Sequence, residues 1–417
     1  MVDRIMAISR RGSLGVAAAG TLGLGAPTAA AAAASGVVPG LEVLLGPKRA
    51  LLAGKRVGLI TNPTGVTRGL ESAVDLMAQA TDFKLAALFG PEHGVRGDAQ
   101  AGAAVADHLD ARTGLAAYSL YGATRKPTPA MLAGLDVLVF DIQDIGARYY
   151  TYPWTLGLVM QAAREAGIGV IVADRPNPIG GGKVEGPVLD PALASFVGAY
   201  PIPVRHGLTM GELALMMNKD FAIGCDLTVV TCATWRRGKD FSQTGLPWVP
   251  PSPNMPTLDT AFLYPGTCLI EGTNLSEGRG TAKPFELIGA PFIDAPALAE
   301  RLNQRKLAGV HFRPAYFTPT FSKHQGQLCA GVQIHLLDRA SMAPVDVGLT
   351  LLLEVASLYG QDFSFLPGNP PFFDRLAGLS WLREAIVAGE SLESIQARWQ
   401  PELEAFKRKR LDWLLYR

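Results

Sequence analysis

Between residues 40 and 198, short apolar runs alternate with stretches of helical periodicity. Arg56-Val57-Gly58-Leu59-Ile60-Thr61 is closed by Asn62-Pro63-Thr64-Gly65. The run 83–89 stops at Gly90-Pro91, the run 137–140 stops at Asp141, and the run 169–173 stops at Asp174-Arg175-Pro176-Asn177-Pro178. Apolar runs closed by turn residues predict strands buried on both faces, the habit of parallel sheets. Residues 71–80 and 154–166 carry a helical pattern, and Gly167 is placed to cap the second in a left-handed conformation. Strand–helix alternation predicts an α/β fold with a doubly wound parallel sheet.

From about Pro201 the texture changes. Residues 211–218, 295–305, 345–358 and 393–415 read as helices, 331–337 alternates like a strand, and proline-rich loops cover 248–256 and 264–284. This predicts two domains, one over 37–200 and a smaller α+β domain over 201–417.

The leader departs from both. Arg4, Arg10 and Arg11 precede a Gly-interrupted apolar stretch and an alanine run ending at Ala34. Charged, apolar and small-residue regions in that order predict an export signal over 1–36. Ser9-Arg10-Arg11-Gly12-Ser13-Leu14 resembles a twin-arginine signal, which places the protein in the periplasm or outside the cell. The apolar stretch is too short for a membrane span, and no lipid-anchor cysteine follows it, so no stable membrane anchor is expected. Composition adds exclusions. With 48% hydrophobic and 18% charged residues the chain of 417 can bury a large core. A net charge of +1 gives no global field for nucleic acid. Export permits disulfides, and Cys225 and Cys232, on either side of a strand-like stretch at 226–231, are one pair to weigh against buried free thiols.

Ligands of open parallel sheets bind outside the carboxyl ends of the strands. Polar clusters fall at those ends here. The second strand delivers Gly90-Pro91-Glu92-His93-Gly94, followed by Arg96. The strand near 140 delivers Asp141, Gln143, Asp144, Arg148 and the aromatics Tyr149, Tyr150, Tyr152 and Trp154, and the strand near 173 delivers Asp174, Arg175 and Asn177. Asn62 and Thr64 join the rim from the first strand. Glu92 suits a general acid or base, with His93 orienting it or binding substrate, and the flanking glycines admit a close approach. Asp141 and Asp144 are a carboxylate pair of the kind glycoside hydrolysis needs, or braces for backbone amides. Arg148 and Arg175 are clamps for a substrate carboxylate, or internal ion pairs to those aspartates. The tyrosines stack on a ligand ring or pack in the core. A second Gly-rich polar loop carries Glu271, Asn274, Glu277 and Arg279, and its two glutamates are rival catalytic candidates.

Other chemistries find no support. No G-x-G-x-x-G follows the first strand, and neither a G-x-S-x-G elbow nor H-E-x-x-H occurs. His93, Asp98 and Asp141 lack metal-ligand spacing. No metal and no cofactor are expected.

Taken in order, Gly90-Pro-Glu-His-Gly94, Asp141-Ile-Gln-Asp-Ile-Gly146, Asp174-Arg-Pro-Asn-Pro178, Pro251-Ser-Pro-Asn-Met-Pro256 and Glu271-Gly-Thr-Asn-Leu-Ser-Glu-Gly-Arg-Gly280 closely resemble the exo-β-N-acetylmuramidase family of peptidoglycan hydrolases. Ser195-Phe-Val-Gly198, Arg205-His-Gly207 and Gly331-Val-Gln333 match as well, so the resemblance covers roughly residues 40 to 417. It implies a Rossmann-like domain beside a smaller one, with the active site in the cleft between them. It implies an exo-acting glycosidase that removes N-acetylmuramic acid from the non-reducing end of peptidoglycan fragments, with Glu92 as the catalytic residue. The lactyl carboxylate of that sugar gives Arg148, Arg175 or Arg279 a reason to act as a clamp. The rival reading is an exported binding protein for amino sugars or muropeptides, from which turnover separates an enzyme.

Overall fold

The structure, a computed structural model, describes residues 36–97 and 106–417. The export signal expected over 1–36 lies, apart from Gly36, outside the described residues, and so does Asp98.

The larger sheet has seven strands in the order β3-β4-β2-β1-β5-β6-β9. Their ranges are β1 Arg56–Thr61, β2 Lys84–Gly90, β3 His108–Leu109, β4 Ala116–Ser119, β5 Val137–Asp141, β6 Gly169–Ala173 and β9 Leu227–Val230. Every pairing is parallel except β3 with β4. The chain winds outward from β1 to one side, returns, and then winds outward from β5 to the other, which is the doubly wound order. The expected strands all form. Their side chains alternate between two cores because successive residues of a strand point to opposite faces. Val57, Leu59, Val137 and Val139 pack on one face with Leu41, Leu44 and Val74 of the helices Gly40–Leu45 and Ala73–Ala78. Ile60, Phe89, Leu138 and Phe140 pack on the other with Leu156, Met160 and Leu213 of the helices Tyr152–Ala166 and Met210–Asp220. Gly167 closes the first of these two with φ 68°, as expected.

The register fixes the rim. Ile60 lies opposite Phe89, and Thr61 opposite Asp141, so the strands end level and their loops emerge together.

β10 Leu287–Ala290, β11 Val310–Phe317 and β12 Cys329–Leu336 form a second, antiparallel sheet in the order β10-β12-β11. Helix Ala295–Gln304 covers it. Helices Leu258–Thr267 and Pro344–Tyr359 meet backbone to backbone at Gly266 and Gly348, where any Cβ would lie about 2 Å from the facing carbonyl oxygen. A two-stranded ribbon of β7 Glu185–Val188 and β8 Pro203–Arg205 lies between the sheets in sequence.

The boundary expected at 200/201 does not divide the architecture there. Helix Met210–Asp220 and β9 belong to the larger sheet, because β9 pairs with β6. The C-terminus also returns to that sheet. The Tyr416 hydroxyl donates to Asp174 Oδ2 at 2.6 Å and accepts from the Cys232 amide at 2.9 Å. Nor do Cys225 and Cys232 bridge. They sit beyond opposite ends of β9, roughly 20 Å apart along an extended chain, whereas a disulfide needs Cα atoms within about 7 Å. All four cysteines are free and buried. Among the described residues no helix is long and apolar enough to cross a membrane.

Candidate active site

A cavity of about 530 Å³ opens where the loop after β2, the segment before helix Tyr152–Ala166 and the Gly-rich loop 271–281 meet. Glu92, His93, Tyr150, Glu271 and Arg279 line it together with Tyr121.

Glu92 is presented by a tight turn. Gly94 donates its amide to Pro91 O at 3.0 Å, and His93 and Gly94 both take left-handed conformations, with φ 74° and 77°. A left-handed histidine is uncommon and costs backbone energy, the kind of outlier found at functional sites. The Thr151 hydroxyl donates to Glu92 Oε2 at 3.1 Å. Thr151 is the N-cap of helix Tyr152–Ala166, yet its side chain caps no amide of that helix. A threonine there usually bonds its own helix, and this one serves the carboxylate instead. Tyr121 lines the cavity beside Glu92, and burial first, then the charge of Glu92, raises the pKa of its hydroxyl. Tyr150 and Tyr152 are raised likewise, first by burial and then by nearby negative charge, including that of Glu92. Glu92 is therefore half-buried among aromatic rings, with the Thr151 hydroxyl on its carboxylate.

The opposite wall is ionic. Arg279 Nη2 reaches both oxygens of Glu271 at 3.2 Å, and its Nε lies 3.2 Å from Glu277. Lys323 Nζ sits 2.9 Å from the second oxygen of Glu277. Glu271 also accepts a long hydrogen bond from Cys268 Sγ at 3.6 Å, and burial raises its pKa against the pull of Arg279. Glu277 is buried behind Arg279 and fixed by two cations, so of the rival glutamates Glu271 is the one that faces the cavity.

The other expected residues lie elsewhere. Asp141 is fully buried and forms a bidentate pair with Arg175 at 2.6 and 2.9 Å, and Arg175 gives a further hydrogen bond to Val66 O. The clamp reading of Arg175 is thus replaced by the internal ion pair, because Asp141 ends β5 and Arg175 lies just beyond the end of the neighbouring β6. Asp144 is enclosed beneath the tyrosines and accepts from the Gly146 amide at 2.7 Å. Burial pushes it up to about 7. Its neighbour His206, at 3.8 Å, is pushed down to about 3 by burial and nearby arginines, so the two do not form an ion pair near neutrality. Arg148 is corrected most sharply. It is wholly buried, and its guanidinium donates to the carbonyls of Pro187, Ile202, Leu376 and Ala377 at 2.8–2.9 Å. It joins two parts of the chain far apart in sequence and does not face the cavity.

Three asparagines are braces. Asn62 donates to the Tyr152 hydroxyl at 2.9 Å and accepts from the amide and hydroxyl of Thr64. Asn177 bonds Leu208 O and the Ile179 amide, and Asn274 bonds Asp362 O and the Ser364 amide. Arg96 is outside the cavity, half exposed and paired with Asp110 and Asp75. Among the described residues no group of His, Cys, Asp or Glu side chains is arranged to hold a metal ion.

Sequence reading passed over Tyr121, Thr151, Tyr264, Cys268 and Phe321, all of which line the cavity. Tyr121 follows β4 at the same carboxyl rim, but β4 is too short and too weakly apolar to be read as a strand. Phe321 lies on a loop whose approach depends on the second sheet, and no local pattern announces it.

Residues 57–259 match the N-terminal domain of exo-beta-N-acetylmuramidase NamZ, and residues 262–416 match its C-terminal domain. The chain belongs to this family. The junction at 259–262 agrees with the sheet's continuation through β9. Among its relatives is the peptidoglycan beta-N-acetylmuramidase NamZ of Bacillus subtilis (strain 168), 54% identical over 380 residues that make up 91% of each chain. Two crystal structures of DUF1343 family proteins from Bacteroides fragilis NCTC 9343 share the fold. One superposes with a TM-score of 0.85 at 41% identity, covering 91% of this chain and 99% of the other. The second has a TM-score of 0.73 at 33% identity, covering 92% and 99%.

Proposed function

We propose that this family member is an exo-acting glycoside hydrolase that releases N-acetylmuramic acid from the non-reducing end of peptidoglycan fragments, with Glu92 as general acid/base. The observation that carries the role of Glu92 is its setting. It lines the cavity on a tight left-handed turn, takes a hydrogen bond from the Thr151 hydroxyl and lies beside Tyr121. Cleaving an acetal expels a poor alkoxide, so a proton must reach the leaving oxygen as the C–O bond breaks. A carboxyl that lines the cavity can hand a proton to a substrate oxygen within reach and recover it from water. Asp141 and Glu277 are buried in ion pairs and are not among the residues that line it. Glu271 stands on the opposite wall with Arg279, where it can attract the positive charge that develops on the sugar ring. The 2-acetamido group of an N-acetyl sugar is the other candidate for the second role. The volume, about 530 Å³, lies in the usual range for small-ligand sites.

The test is incubation with a muramic acid–glucosamine disaccharide and mass analysis of the products, wild type beside Glu92→Gln. Wild type should release N-acetylmuramic acid, and the variant should fold normally and release almost none. A protein that binds the disaccharide without ever yielding product would be a binding protein instead. Near-normal release by Glu92→Gln would remove Glu92 from the role.

We further infer export by the twin-arginine route to the periplasm or cell exterior, supported by Arg10-Arg11 ahead of an apolar stretch and an alanine run. Arg10→Lys with Arg11→Lys should retain the protein in the cytoplasm on fractionation, and unchanged export would refute that route.

A further inference from the structure

An acidic sugar brings a charge that the cavity must receive. The cations already described are committed. Arg279 holds Glu271 and Glu277, and Lys323 holds Glu277 and the carbonyls of Ile270 and Thr273. Arg175 holds Asp141, and the carbonyls around Arg148 occupy its guanidinium.

Arg125 differs from all of these. It is exposed, and among the described residues it meets no carboxylate, although the next residue, Lys126, pairs with Glu165 at 2.6 Å. Its guanidinium instead lies on two rings, 4.2 Å from the centroid of Phe196 and 5.8 Å from that of Tyr121. Those rings contact each other with centroids 6.1 Å apart. Both belong to the site. Tyr121 lines the cavity together with Glu92. Phe196 sits beside the cavity-lining Val197 at the tip of a turn closed by reciprocal hydrogen bonds between Ser195 and Gly198 at 2.8 and 3.1 Å. The loop carrying Arg125 is fixed as well, since Thr124 Oγ1 donates to Lys126 O at 2.7 Å. Stacking on aromatic faces orients the plane of a guanidinium and leaves its N–H edges open for a carboxylate fork.

We propose that Arg125, laid on Phe196 and Tyr121 at the rim of the Glu92 cavity, binds the lactyl carboxylate of the terminal muramic acid and selects that acidic sugar over neutral N-acetylhexosamines. The assignment rests on the hydrolase reading above. The lactyl arm leaves the sugar at C3, two ring bonds from the anomeric carbon that Glu92 serves. A carboxylate on that arm therefore falls beside Glu92 and not upon it. One Tyr121 side chain spans the same offset, lining the cavity with Glu92 while its ring lies under Arg125.

The experiment compares kcat/KM for 4-nitrophenyl β-N-acetylmuramide and for its lactyl methyl ester, in wild type, Arg125→Ala and Arg125→Lys. The ester keeps the shape of the arm and removes its charge. Wild type should prefer the acid by about tenfold or more, the range for a hydrogen bond to a charged group. Arg125→Ala should lose that preference by falling on the acid while the ester is cleaved as before. Arg125→Lys should keep part of it, and raising the ionic strength should shrink the wild-type preference. An acid-to-ester ratio unchanged in Arg125→Ala, an equal fall on both substrates, or no preference in wild type would each overturn the assignment. Those outcomes leave the hydrolase reading intact, because wild type still turns over both substrates. Failure of wild type on both would strike that reading itself and this one with it.

Discussion

Two strand ends of the larger sheet carry carboxylates to the same rim, and they have opposite fates. At the end of β5, Asp141 is sealed in a bidentate pair with Arg175, and Asp144 is closed over by tyrosines. At the end of β2, Glu92 is turned into a cavity by a left-handed turn and accepts from the Thr151 hydroxyl. Both ends satisfy the rule that ligands gather at the carboxyl ends of parallel strands. What separates them is access. Asp141 and Asp144 are buried away from the cavity, whereas Glu92 lines it, where a carboxyl can exchange a proton with a bound ligand.

The sharpest way to break this contrast is to neutralise one carboxylate at each end. Glu92→Gln should lower kcat by about a thousandfold, within the range for a general acid, with no loss of melting temperature. Asp141→Asn should do the reverse. It leaves the Arg175 charge buried and unpaired, which costs about 3–5 kcal/mol of stability, while the protein that remains folded keeps its kcat. Urea unfolding and single-substrate kinetics on both variants check this. Activity lost in folded Asp141→Asn would erase the distinction.

The second prediction carries the contrast to the arginines. Arg148→Met removes a donor set that satisfies four buried carbonyls, and unsatisfied buried polar groups cost about 1–3 kcal/mol each. Destabilisation by several kcal/mol should follow, with KM unchanged in the folded fraction. A raised KM with normal stability would return Arg148 to the role of substrate clamp.

These differences also mark where the chain was readable. β1, β2, β5 and β6 announced themselves because burial on both faces demands unbroken apolar runs. β4, Ala-Ala-Tyr-Ser, is barely apolar and concealed Tyr121. β9 was assigned to the second domain because its place in the sheet depends on pairing with β6, which no local pattern records. The charged clusters were legible as residues but not as pairs. Asp141 and Arg175 stand 34 positions apart and meet only because β5 and β6 are neighbours. Glu92 was found by position and resemblance together, whereas Thr151 and Tyr121 beside it come from a helix cap and the end of an unrecognised strand.

Asp144 offers a pH test of enclosure without a cation. Burial raises its pKa from the ordinary value to about 7 in the folded protein. The folded state then binds a proton that the unfolded chain releases near pH 4. Stability from this group is complete below the unfolded pKa, falls as pH rises, and is lost above about pH 7. Asp144→Asn cannot lose a proton there. The melting temperature of Asp144→Asn minus that of wild type should therefore grow between about pH 4 and 7 and level off above. A flat difference would mean that Asp144 is not enclosed as described.

The smallest effect bears most directly on why Glu92 is the reactive end. Tyr121→Phe and Thr151→Val each delete one hydroxyl beside Glu92, that of Thr151 donating to it, and leave the ring or branched carbon skeleton in place. A single hydrogen bond is worth about 1 kcal/mol, so each should lower kcat by roughly five- to tenfold. KM should hardly move, because the hydroxyls aim the carboxylate rather than grip the sugar. The alternative is that Tyr121 serves mainly as the platform for Arg125. Tyr121→Phe keeps that platform, so it should leave the acid-to-ester preference at the wild-type value while kcat falls on both substrates. A variant that keeps kcat and loses the preference would show that the hydroxyl contributes to recognition and not to aiming Glu92, and the aiming of Glu92 would then rest on Thr151 alone.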